Sequence, residues 1–441
     1  MLRTTTLSAA ALLGLTLLAP TGATAAAETC QGVAATHVGS VNVYELEGTE
    51  GPDVIVTNGA QDVRALGGND LICVTDTAAK VDAGAGDDVV DAGSALATGT
   101  GAVLGPGADR YIGSSARDTV LAGKGYLDFG DLQDDSEVDV IDTGPHGPEG
   151  DLVVSGQAGV PNSDRVVMGS GQLQWAGLAT PAAYVDGGVA TQLELTDRRS
   201  ETVAIDAGAG TAVVDAVHSL TFRNISRFRL VASGRAPRRL TYVGGPYLDE
   251  LDIVTADFPH DAQHFVALGG GNDELRLESY GVVPAGVTYD AGAGRHDTID
   301  LTITDERKVA VDLGRGRLTV QTFSQTSAAA IRGFEDADVR AKDAELVGTS
   351  GRNILRAHAC RLRIRGGAGS DQLTWLRRGS GEELLCLQRA AHLFGGGGQD
   401  FLKGSTVADR LYGGPGPDTA DGRGGRDTCQ AERRIRCEVR R

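Results

Sequence analysis

The sequence predicts an all-β protein: an elongated parallel β-roll or β-solenoid of glycine-rich, nonapeptide-type repeats. Three observations predict it. Asp400, Asp409, Asp418 and Asp427 are spaced nine residues apart near the C-terminus. Two of them end glycine turns, Gly395-Gly396-Gly397-Gly398-Gln399-Asp400 and Gly413-Gly414-Pro415-Gly416-Pro417-Asp418. The third is composition. The chain has 441 residues, of which 63 are glycine, 5% aromatic and 41% hydrophobic. It has apolar surface to bury, but few large side chains to fill a globular core. A solenoid fits, because each coil buries a few small aliphatics against its neighbours.

The elements follow in chain order. Arg3, an apolar stretch from Leu7 to Ala19 and small residues up to Ala27 read as an export signal over residues 1–27, too short to span a bilayer as a helix. Residues 28–47 read as an N-terminal cap. Repeats occupy 48–130, opening at Gly48-Thr49-Glu50-Gly51-Pro52-Asp53. Gly67-Gly68-Asn69-Asp70 follows, and Asp88 lies 18 residues after Asp70, one coil if a coil holds two nonapeptides. Over 131–240 the period loosens into a degenerate solenoid. There Ala207-Gly208-Ala209-Gly210-Thr211-Ala212 keeps a glycine turn with alanine where aspartate belongs. In 241–345 the period lengthens: Asp249, Asp273 and Asp297 are 24 residues apart, leaving room for a third face or a bulge. Over 346–428 the regular repeat returns, including Asp371, with Asn353 in the aspartate position of Gly348-Thr349-Ser350-Gly351-Arg352-Asn353. Residues 429–441 read as a C-terminal cap. On the order of 16–20 coils at about 4.8 Å each give a rod of roughly 75–100 Å.

The period of turn, aspartate and short apolar strand resembles the G-G-x-G-x-D-x-U-x nonapeptide of the RTX family, the hemolysin-type calcium-binding repeats. The resemblance implies a parallel β-roll with calcium as its cofactor, the ions lying in rows between successive turns on one side. Calcium takes six to eight oxygens from carboxylates and carbonyls. Glycine turns expose carbonyls on a tight arc, and aspartate adds charge at the turn exit. The expected ligands are Asp400 with Asp418, Asp409 with Asp427, Asp70 with Asp88, and Asp371, together with the turn residues Gly395, Gly397, Gly413 and Pro415. The Ser405–Ala408 turn departs from the glycine pattern and makes the Asp409 position weaker. The aliphatic two residues after each aspartate is expected to point inward.

Six cysteines in an exported chain suggest disulfides. They fall into three local pairs: Cys30 with Cys73, Cys360 with Cys386, and Cys429 with Cys437. A net charge of −18 argues against nucleic acid as a partner. Residues 352–441 reverse the sign locally, with 17 Lys and Arg against 10 Asp and Glu. This permits contact with cell-wall or extracellular polysaccharide. No G-x-S-x-G elbow or H-E-x-x-H helix occurs. His260 and His264 read as exposed loop residues, and Trp175 and Trp375 as core fillers. The expectation is a secreted, extracellular, non-enzymatic calcium-binding protein, structural or attached at the cell surface, with no membrane span. The alternatives are an adhesin or envelope spacer, and a calcium-dependent polysaccharide-binding or polysaccharide-modifying β-helix. The last would use Arg361, Arg363 and Arg365, which alternate along one strand beside Asp371.

Overall fold

The computed structural model of the chain describes residues 28–440 except 78, 96–98, 123–135, 146–149, 189, 197–200, 260, 305–307 and 377–389. The export signal and Cys386 lie outside the described residues. The described residues contain strands, turns and no helix.

Among the described residues one sheet of 39 strands winds along the rod, with two further strand pairs beside it. Each coil gives one short strand to each of two rows, and the rows face each other across a thin core. The first row is parallel without a break from Glu45–Glu47 to Arg433–Ile435. At about 4.8 Å per step, roughly 17 steps make a rod of about 80 Å. In the regular C-terminal part the register is 18 residues, as in Phe401↔Thr419 and Arg410↔Thr428.

Strand alternation sets the core. The residue two places after each aspartate points inward: Ile72, Val90, Leu402, Leu411, Ala420 and Cys429 are all fully buried. The residue between looks out, as Phe401 does at 38% exposure. Each fully buried aliphatic contributes about 1.5–3 kcal/mol. In the middle of the rod the core widens and takes aromatics. Phe228 packs 5.2 Å from Phe222 and 5.6 Å from Tyr242, centroid to centroid. Trp175 and Trp375 are both 3% exposed, and the Trp375 indole donates to the Ala359 carbonyl at 2.9 Å.

The second row departs from a purely parallel solenoid in two places. Thr202–Asp206, Thr211–Val214 and His218–Arg223 form an antiparallel meander. Lys308–Asp312, Arg317–Gln321 and Thr326–Arg332 form another. The Ala207–Ala212 segment is therefore not a surviving ligand turn that lost its aspartate. It is a hairpin loop, closed by Asp206↔Thr211 pairing, with the Ala209 amide donating to Asp206 Oδ1 at 2.7 Å.

The 24-residue units add no third face. Glu250, Glu274 and Thr298 stack in unbroken register. The extra length goes into six- to eight-residue strands and the loop that includes Gly281–Gly286. These longer strands carry an outward column of alternating charge, Glu194–Arg229–Asp252–Arg276–Asp300. Arg229 lies 3.3 Å from both Glu194 and Asp252, and Arg276 3.9 Å from Asp252 and 3.4 Å from Asp300. Glu194, Asp252 and Asp300 are nearly buried.

His264 is not an exposed loop residue. It sits on Gln263–Ala267 at 5% exposure, with Nε2 3.0 Å from the Pro237 carbonyl. The Phe258 ring lies edge-on beside it. Its expected neighbour His260 falls outside the described residues.

Disulfides join Cys30 to Cys73 and Cys429 to Cys437. Cys360 is also disulfide-bonded.

Candidate metal centre

The aspartates form hydrogen-bonded rows along the rod, in which a carboxylate accepts the main-chain N–H of the residue one coil earlier, usually an aspartate, though Ala391 for Asp409 and Thr100 for Asp118. In the C-terminal run, Asn353 N donates to Asp371 Oδ1 at 2.8 Å, Asp371 N to Asp400 Oδ1 at 2.9 Å, and Asp400 N to Asp418 Oδ1 at 2.9 Å. On the other edge, Asp409 N donates to Asp427 Oδ1 at 2.8 Å. Near the N-terminus, Asp53 N reaches Asp70 at 2.7 Å and Asp70 N reaches Asp88 at 2.8 Å. The pairs expected from the 18-residue spacing are thus neighbours in space.

The rows extend through segments where the sequence period is lost. Asp88 N donates to Asp109, Asp109 N to Asp139, and Asp139 N to Asp164, across 21, 30 and 25 residues. Asp118 N donates to Asp151 across 33. The aspartate-then-aliphatic element keeps its place across these longer separations. That element was the usable signal, and spacing alone concealed it. In the central units Asp249 N donates to Asp273 and Asp273 N to Asp297.

The turns fall into two kinds. In the first, the residue four before the aspartate caps its carboxylate. Thr49 N and Oγ1 donate to Asp53 Oδ2 at 2.7 and 2.9 Å, and Ser114 N to Asp118 Oδ2 at 2.8 Å. Gly245 N donates to Asp249 Oδ2 at 2.7 Å, and Ser405 gives both its N–H and its hydroxyl to Asp409. Thr349 does the same for Asn353. No residue within these turns is left-handed.

In the second kind, the residues four and two before the aspartate are left-handed: Gly396 and Gly398 before Asp400 at φ +115° and +130°, Gly414 and Gly416 before Asp418 at +112° and +141°. A left-handed backbone turns these amides toward the next coil, so that Gly396 N bonds Gly413 O at 2.8 Å and Gly398 N bonds Pro415 O at 3.0 Å. Glycine reaches this conformation without a Cβ clash. The aspartate then keeps one buried oxygen with no protein partner. Asp70, Asp88, Asp371, Asp400, Asp418 and Asp427 each carry such an Oδ2, and each residue is at most 2% exposed.

A buried carboxylate oxygen with no donor is costly unless a cation meets it. Burial pushes the carboxyls of Asp371 and Asp427 up to about 6 and that of Asp88 to about 8. It also raises Asp400 and Asp418. Asp53 differs: burial works against its charge, but the bonds from Thr49 and Thr36 and the nearby His37 hold it below the usual range.

The first glycine of the turn makes room for the orphaned oxygen. A Cβ on Gly395 would overlap Asp400 Oδ2, and one on Gly413 would overlap Asp418 Oδ2. A Cβ on Gly397 would meet nothing within 4 Å. The carbonyls of Gly397, Gly413 and Pro415 each accept one amide from the coil before; a carbonyl oxygen has a second lone pair for a cation. Among the described residues no three His, Cys, Asp or Glu side chains are placed to hold a metal together. A cation's shell here must therefore draw on main-chain carbonyls, as a hard ion's does.

The arginines expected beside Asp371 are elsewhere. Arg361 pairs with Asp343, Arg365 lies 3.1 Å from Glu345, and the Arg363 guanidinium stacks 5.6 Å from the Phe394 ring centre. Asp371 is buried in the carboxylate row, and no joint arginine–aspartate site forms.

The family described as RTX calcium-binding nonapeptide repeat (four copies) matches residues 80–95, 345–374 and 394–429. These stretches hold Asp88, Asp371, Asp400, Asp418 and Asp427, of the second turn kind, and Asn353 and Asp409, of the first. No curated protein matches the chain. The solved structures similar to the chain include one titled as that of a hyperactive, Ca2+-dependent, beta-helical antifreeze protein from an Antarctic bacterium. It is 14% identical, over 89% of this chain and 83% of that one, with a TM-score of 0.18.

Proposed function

We propose that this chain, parts of which match the RTX calcium-binding nonapeptide repeat, is an exported structural rod whose fold calcium completes after secretion. One observation carries the proposal: the turns with left-handed residues leave a buried, donorless Oδ2 on Asp70, Asp88, Asp371, Asp400, Asp418 and Asp427. Calcium supplies positive charge that the protein lacks there. The aspartates hold it by Oδ2, the turn carbonyls complete the shell, and Oδ1 stays on the amide of the preceding coil. Asp409 contributes less, because Ser405 already satisfies its carboxylate.

The rod would remain loose where calcium is scarce and set where it is abundant, since an ion that binds only the folded form stabilises it by mass action. The test is calorimetric calcium titration alongside circular dichroism. The ion count is expected to track the turns of the second kind, with β-structure and melting temperature both rising. Identical spectra and melting temperatures with calcium and with chelator would end the reading.

A second reading has one observation in its favour. The outer face around Arg363 and Arg410, with Arg361 and Arg365 beside them paired to Asp343 and Glu345, is rich in arginine on an otherwise acidic protein. It suits an anionic polysaccharide. A pull-down against cell walls, with and without chelator, tests attachment there.

A further inference from the structure

We propose that the disulfide-closed C-terminal loop supplies the last calcium position on each edge of the rod, with Glu432 beyond Asp418 and Glu438 beyond Asp427. This rests on the reading that the array binds calcium, and it adds two positions the nonapeptide pattern does not contain. Neither glutamate belongs to a glycine turn, and they follow their aspartates by 14 and 11 residues instead of 18.

The geometry repeats that of the coils below. Asp418 N donates to Glu432 Oε2 at 2.8 Å, and Asp427 N to Glu438 Oε2 at 2.9 Å. Within the array the same amide positions donate to the next aspartate, Asp400 N to Asp418 and Asp409 N to Asp427, at 2.9 and 2.8 Å. Each glutamate takes the place that the next coil's aspartate holds within the array. Its longer side chain spans a shorter loop.

The second observation is independent of this cluster of acids. Asp418 Oδ2 and Asp427 Oδ2 are buried with no partner, on residues 1% and 0% exposed. In each case two carboxylates occupy successive coil positions and bear on one another's charge, Glu432 on Asp418 and Glu438 on Asp427, while Arg434 also acts on Glu432. Like charges this close repel unless a counter-ion is shared. A divalent ion with carboxylate and carbonyl preference is the ligand class that fits.

The loop is held for this purpose at three points. Cys429 is fully buried and bonded to Cys437, so Glu432 lies inside the ring and Glu438 directly follows it. Arg436 pairs with Asp421, and Arg434 Nε donates to the Ala431 carbonyl at 2.7 Å. Opening the disulfide frees both glutamates. Thermodynamic linkage then requires calcium to protect the disulfide as much as the disulfide favours calcium.

The test uses the full chain with its disulfides intact. Bound calcium is counted by elemental analysis after equilibrium dialysis, and affinities are taken from calorimetry. Glu432→Gln and Glu438→Gln keep an oxygen for the Asp418 and Asp427 amides but remove the charge. The double variant is expected to bind two fewer ions, or to bind two of them at least tenfold more weakly, with the rest unchanged. Cys429→Ser with Cys437→Ser should weaken the same two. Should the cysteine variant not fold, the rate at which dithiothreitol opens Cys429–Cys437 in the wild type serves instead. Calcium should slow it about tenfold, and the glutamine double variant should lose that protection. A double variant that titrates like a calcium-binding wild type overturns the inference and leaves the proposed function standing. A wild type that binds no calcium overturns both.

Discussion

Two glycines in one turn make opposite predictions. Gly395 and Gly397 both precede Asp400, and neither is left-handed. A Cβ on Gly395 would collide with Asp400 Oδ2 and stand 2.6 Å from the Gly413 carbonyl, which belongs to the next coil's backbone and cannot yield. The carboxylate must swing out. It then loses the Asp371 amide at 2.9 Å and leaves that buried N–H unpaired. A hydrogen bond to a charged group contributes about 1.5–3 kcal/mol, so Gly395→Ala should cost about 2–3 kcal/mol and one calcium ion. Gly397→Ala meets open space and should change stability by no more than about 0.5 kcal/mol, with a slight gain possible from the stiffer unfolded chain. Urea unfolding in calcium, followed by the same titration in chelator, measures both. If the two alanines behave alike, or if Gly395→Ala keeps its ion and its midpoint, the account of the turn is wrong.

Three further outcomes follow from the same geometry. Asp371 and Asp427 have folded values near 6, above the roughly 4 of an unfolded aspartate; a raised value favours the protonated fold, fully below about pH 4 and decreasingly as pH rises through about 6. Calcium-free protein should therefore melt lower at pH 8 than at pH 5, and excess calcium should reverse that order; a calcium-free melting temperature that climbs from pH 5 to 8 would contradict it. Leu411→Ala empties a fully buried position in a core with little else to close over it, and should cost about 2–5 kcal/mol by chemical denaturation in calcium; an unchanged midpoint would contradict it. Hydrogen exchange in chelator should strip protection from residues 394–429 while 227–257 keep theirs, because Arg229 and Arg276 hold the central coils by charge pairs that need no metal; uniform loss along the rod would falsify this division.

What could be read from the sequence was what repeats. The step from Asp400 to Asp418 and the inward Leu402 and Leu411 follow from a period of nine and an alternation of two. The stacking of Asp109 on Asp139, and of Asp118 on Asp151, was hidden because insertions change the spacing without changing the coil. The Ala207–Gly210 segment misled for a related reason: close-set glycines serve a hairpin as well as a coil corner, and only the partner strand decides which. The division of turns depends on whether the residue four before the aspartate is Thr, Ser or a left-handed residue, which is glycine before Asp88, Asp371, Asp400 and Asp418 but Leu66 before Asp70 and Arg423 before Asp427. That is visible at Ser405 and Thr49, but Gly245 caps Asp249 without any such mark. Glu432 and Glu438 were invisible because their reach substitutes for sequence distance.

The two meanders have a consequence for how the rod comes to exist. A parallel coil gains nothing until a whole turn of chain has closed on its predecessor, so its contacts are distant in sequence and slow to form. The segments Thr202–Arg223 and Lys308–Arg332 are different. Each can fold on itself by tight antiparallel reversals, without a neighbour and without an ion. Each also presents free edges on which a coil can be laid, one toward either end of the chain. The array therefore has starting points inside it, and winding can proceed outward from its middle toward the calcium-dependent end.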